Sequence, residues 1–79
     1  MKLPRDLSGE DLVKLLKQYG YEPTRQTGSH IRITTHQNGQ HHLTIPNHKN
    51  LRMGTLSSIL TEAANHLDKT KKELLEELF

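Results

Sequence analysis

Leu12, Val13, Leu15, Leu16 and Tyr19 recur at helical spacing and form one apolar stripe, while Lys14, Lys17 and Gln18 face water. Ser8 is placed to cap this helix, with Asp11 three residues on to complete a capping box, and Gly20 supplies a left-handed stop. From Tyr21 the period changes to alternation. Pro23 restricts residues 21–27 to an edge strand, and Gly28-Ser29 breaks it. The run from His30 to Thr35 then puts Ile31 and Ile33 on one face and His30, Arg32 and Thr34 on the other. A third strand over residues 41–46 turns Leu43 and Ile45 inward and His42 and Thr44 outward.

Asn38-Gly39 resembles a two-residue hairpin turn, but that register would set Ile33 against Thr44, an inner residue against an outer one. A three-residue loop, Gln37-Asn38-Gly39 with Gly39 left-handed, pairs Ile33 with Leu43 and Ile31 with Ile45 and keeps one face apolar. A second helix begins near Met53 and buries Leu56, Ile59, Leu60, Ala63, Ala64 and Leu67. Thr70 to Glu73 forms another capping box, opening a short helix with Leu74, Leu75 and Leu78 that is too short to stand without docking. The predicted fold is α+β, ordered α-β-β-β-α, with two helices on one face of a three-stranded antiparallel sheet and a short C-terminal helix. It is the layout of a double-stranded-RNA-binding-type domain, and its open face carries His30, Arg32, Thr34, His42 and Thr44.

At 79 residues the chain is expected to be one domain, with residues 68–79 a helical extension. Hydrophobic residues are 32% and Trp is absent, which implies a thin aliphatic core and no large enclosed cofactor pocket; no cofactor is expected. Without cysteine there is no disulfide, thiolate nucleophile or Cys-ligated metal. The start of the chain lacks the apolar region of a signal peptide, and no run approaches a membrane span, so a soluble, cytoplasmic protein is expected.

The formal charge of +2 is unevenly spread. Residues 21–55 carry four basic side chains, one acidic one and five of the six histidines, whereas residues 56–79 carry three basic and five acidic groups. The basic middle suits a polyanion. Within it, Gly28-Ser29-His30 offers a glycine turn whose N–H groups and serine hydroxyl suit a phosphate, beside an imidazole that transfers protons near neutral pH. RNA cleavage needs those parts, because a 2′-hydroxyl must lose a proton and cations must stabilise charge on the phosphoryl oxygens. Arg25, Arg32 and Lys49 are the candidate cations. A metal site shared by His30 and His42 fails on geometry, and His36 and His42, diagonal neighbours within reach of weak chelation, lack a carboxylate to complete one. His42 pairs with Thr34, about 13 Å along the strand from His30, and residues 23–61 contain no acidic side chain to complete a ligand set.

Gly28-Ser29-His30, with Arg25-Gln26 before it and Leu43-Thr44-Ile45-Pro46, His48 and Gly54-Thr55-Leu56 after it, resembles the HicA toxin family over about residues 8–67. The resemblance implies an mRNA-cleaving toxin of a toxin–antitoxin pair, with His30 as its catalytic residue and a HicB-type antitoxin as the partner that masks it. Ser57 departs from the basic residue of many relatives, and the segment after Asp68 exceeds the minimal pattern. The leading expectation is a metal-independent endoribonuclease: catalytic His30, phosphate-positioning Gly28 and Ser29, and charge from Arg25, Arg32 and Lys49. Its rivals are a non-catalytic RNA-binding module and a toxin whose activity has decayed.

Overall fold

The computed structural model describes residues 3–79. Helix α1, Gly9–Leu16, starts at the expected capping box: Ser8 Oγ accepts from the Asp11 N–H at 3.0 Å, and the Asp11 carboxylate accepts from the Ser8 N–H. Its last turn tightens into a 3₁₀ helix at Lys17–Tyr19 and ends at Gly20, φ 83°. Three antiparallel strands follow in sequential order, β1 (Glu22–Thr27), β2 (His30–Thr35) and β3 (His41–Pro46). Helices α2 (Met53–His66) and α3 (Lys71–Leu78) complete the chain, the latter opened by the expected Thr70–Glu73 capping box.

The β2–β3 register sets Ile31 opposite Ile45 and Ile33 opposite Leu43, as parity required. Asn38 as well as Gly39 is left-handed in the connecting loop. Both α1 and α2 rest on β3, and α3 rests on α2. The core joins Leu12, Val13 and Leu16 of α1 to the inner face of β2 and β3, the expected residues of α2, and Leu74, Leu75 and Leu78. Leu67 is only partly buried. Three core members lay outside the sequence reading. Tyr21 is fully buried, Leu51 plugs the connection before α2, and Thr35 lies inside because its Oγ1 donates to the Tyr19 carbonyl at 2.7 Å.

The entry to α1 and the exit from β3 are clasped together. Gly9 N–H donates to the His48 carbonyl at 2.9 Å, and Leu51 N–H donates to the Leu7 carbonyl at 2.8 Å. At the other end of the chain Tyr19 Oη donates to a Glu77 carboxylate oxygen at 2.5 Å, and Lys69 Nζ reaches the other oxygen at 3.0 Å. These contacts seat α3 and hold the Glu77 carboxyl below its usual range, chiefly through the tyrosine hydrogen bond.

Candidate active site

The β1–β2 connection is a two-residue hairpin turn, Gly28-Ser29, with Thr27 paired to His30. Gly28 takes φ 54° in open space, so its glycine answers a backbone need and not a crowded one. The Ser29 carbonyl accepts from the Asn47 N–H at 2.6 Å, tying the turn to the residue after β3. His30 therefore sits on a strand paired on both sides, between Thr27 and Pro46, with its imidazole exposed on the open face. The turn fixes its backbone while its ring stays accessible.

Away from the turn, beyond Arg25, the first strand is irregular. A β-bulge between Pro23 and Arg25 inserts Thr24, so that Pro23 pairs with Ile33 while Arg25 pairs with Arg32. The bulge lets Pro23 pair with inward-facing Ile33 while Arg25, in unbroken register with the turn, stays on the open face beside Arg32 in a shallow groove of 410 Å³. Thr34, expected to be exposed there, is buried because Thr24 Oγ1 and His42 Nδ1 each lie 2.8 Å from its hydroxyl. Glu22, opposite Thr34, is the one carboxylate in the three strands. Among the described residues the one ion pair is Lys69–Glu77, so neither arginine is neutralised by a carboxylate.

Lys49 stands apart. It lines a separate depression with Ser8, Glu10, Asn47 and His48, near the clasp that joins α1 to the exit of β3. The structure thus places Gly28, Ser29 and His30 at one end of the open face and Arg25 and Arg32 further along it. His42 pairs with Thr34, four residues along β2 from His30, and among the described residues no three His, Asp or Glu side chains converge as metal ligands.

A histidine pair absent from the sequence reading lies under the β2–β3 loop. The rings of His41 and His66 stack at 4.3 Å and 11°. His66 Nε2 is 2.8 Å from the Gln37 carbonyl and 2.9 Å from that of Gly39; both can only accept, so this nitrogen carries the proton. Asn38 Nδ2 donates to the His66 carbonyl, and Tyr21 Oη lies 2.8 Å from His41 Nδ1. Burial pushes the Tyr21 hydroxyl up to about 12, so it stays protonated and donates. Only the long-range pairing of α2 with this loop creates the group, and no local signal marks it.

The His41 imidazole is held below its ordinary value of 6.5, first by burial and then by His66. A native group that resists protonation makes the unfolded chain the better proton binder. The stability it contributes is therefore complete above 6.5 and is lost as pH falls from there through the depressed native value. Thermal unfolding midpoints should decline as pH falls below about 6.5, before the carboxylates begin to titrate. His66→Ala should lower stability at neutral pH by about 1 kcal/mol and flatten that decline. A midpoint unchanged across this window would contradict the assignment.

The family model described as HicA toxin of bacterial toxin–antitoxin matches residues 9–64, a span that contains every residue of the open-face site. The chain belongs to the HicA toxin family. No curated protein and no solved structure matches it. Membership makes the protein a toxin of a toxin–antitoxin system, with an antitoxin as its partner. The matched span ends within α2, so the capping box and helix of residues 70–78 lie beyond it. No helix among the described residues is long and apolar enough to cross a membrane.

Proposed function

We propose that this HicA-family toxin is a metal-independent endoribonuclease that cleaves mRNA in the cytoplasm with His30 as its single catalytic histidine. The observation that carries the reading is the placement of Gly28-Ser29-His30: a tied turn presents an exposed imidazole on the open face of a sheet whose arginines lack carboxylate partners. His30 takes the proton of a 2′-hydroxyl as that oxygen attacks the adjacent phosphorus, or returns a proton to the departing 5′-oxygen. The Gly28–Ser29 turn offers a backbone N–H and the Ser29 hydroxyl to the phosphate, and among the described residues Ser29 Oγ makes no hydrogen bond of its own. Arg25, Arg32 and Lys49 supply positive charge to the strand on either side. A HicB-type antitoxin neutralises the toxin by covering His30.

Attack by a 2′-hydroxyl ties the reaction to RNA. Incubated with RNA and with DNA of the same sequence, the protein should cut only the RNA and leave 5′-hydroxyl ends. RNA retained by the protein in a salt-dependent manner but recovered intact would instead identify a binding module. Cleavage of DNA at a similar rate would rule out the 2′-hydroxyl as nucleophile.

A further inference from the structure

Arg25 and Arg32 stand directly opposite each other, and like charges so placed repel. With no carboxylate bonded to either among the described residues, an anion from outside the fold is the natural counterweight. Their groove continues over Thr34 toward His36, Gln40 and His42. That end lies about 13 Å along β2 from His30, too far to touch the phosphate being cleaved.

The His42 ring is held in place there. Its Nδ1 is 2.8 Å from Thr34 Oγ1, which is 2.8 Å from Thr24 Oγ1, which is 3.4 Å from the Arg32 carbonyl. This chain satisfies either charge state. Around a neutral imidazole, Thr24 donates to Thr34 and Thr34 donates to Nδ1. Around an imidazolium the direction reverses: Nδ1–H donates to Thr34, Thr34 to Thr24, and Thr24 to the carbonyl. In both arrangements Nε2–H remains a donor free for a ligand.

We infer that this groove is a second phosphate subsite, in which Arg25, Arg32 and His42 hold a backbone phosphate farther along the single-stranded RNA than the one cleaved at His30. The inference rests on the ribonuclease reading of His30. The groups facing His42 are Arg25 and Glu22 of β1, Arg32 of β2, and His36 in the loop, with His41 its neighbour on β3. Glu22 is in no ion pair among the described residues, so the groove stays cationic. An imidazolium at position 42 adds a further charge to the groove, so RNA binding should be tighter in acid than in alkaline buffer.

The test uses His30→Ala as a non-cutting background and follows a fluorescein-labelled single-stranded RNA by anisotropy at about pH 6 and about pH 8. Adding His42→Ala should weaken binding roughly 5- to 10-fold at the lower pH and remove most of the pH dependence. Adding His42→Lys should restore affinity and make it insensitive to pH, which a packing role would not do. Arg32→Ala should reduce the slope of log affinity against log salt by about 0.7. His42→Ala that binds like its background, while the parent chain still cuts RNA, would overturn the subsite and leave the ribonuclease reading standing. A parent that neither binds nor cuts RNA would overturn both.

Discussion

Gly9→Ala is expected to lower the thermal unfolding midpoint by roughly 10 °C, although alanine is the better helix former by about 1 kcal/mol. The added Cβ would stand 2.0 Å from the Pro46 carbonyl oxygen, 3.0 Å from its carbon and 3.2 Å from the Asn47 Cα. All of these are backbone atoms, so no side chain can swing aside. Forcing the segments apart costs on the order of 1–3 kcal/mol. It also disturbs the Gly9-to-His48 and Leu51-to-Leu7 hydrogen bonds, each contributing about 1 kcal/mol. The clash therefore outweighs the gain in propensity. Gly54→Ala is the control, because a Cβ there, early in α2, meets nothing within 4 Å and should leave the midpoint level or higher. Equal midpoints for Gly9→Ala and the parent would contradict the close approach of α1 to the exit of β3.

The elements that could be read from the chain were those specified by neighbours in sequence. Both capping boxes are pairs three residues apart, and the β2–β3 register follows from keeping Ile31, Ile33, Leu43 and Ile45 on one face. What escaped depends on distant partners. Gly9 reads as an ordinary helix-start residue until Pro46 lies against it, and Leu51 reads as loop until it joins the buried core. The bulge at Thr24 sets its hydroxyl against Thr34 on the neighbouring strand, so the burial of Thr34 is not visible in the sequence. The Gly28-Ser29-His30 turn was legible because a break between alternating runs needs no tertiary information. His42 lies too far from His30 to share a metal ion, a separation legible from the strand register, while its bond to Thr34 appears only in the folded sheet.

His30→Ala should reduce the single-turnover rate of RNA cleavage by ~10² or more, the typical contribution of a positioned proton-transfer group. The loss should not be one of folding. His30 is exposed, its place in the sheet is held by backbone pairing to Thr27 and Pro46, and no side-chain hydrogen bond anchors the ring among the described residues. Surface substitutions of this kind change stability by about 0.5 kcal/mol or less, so the unfolding midpoint should stay near that of the parent. In the parent, the cleavage rate should vary with pH, because proton transfer through His30 needs one of its two protonation states. A flat profile, or a variant as fast as the parent, would remove His30 from the chemistry.

The most direct measurement is the incubation of end-labelled single-stranded RNA with the parent chain and with His30→Ala, side by side in excess EDTA. Cleavage by the parent alone is the predicted result, showing phosphodiester cleavage that needs His30 and no divalent cation. Intact RNA in both lanes with both proteins folded, or equal cleavage in both, would contradict it.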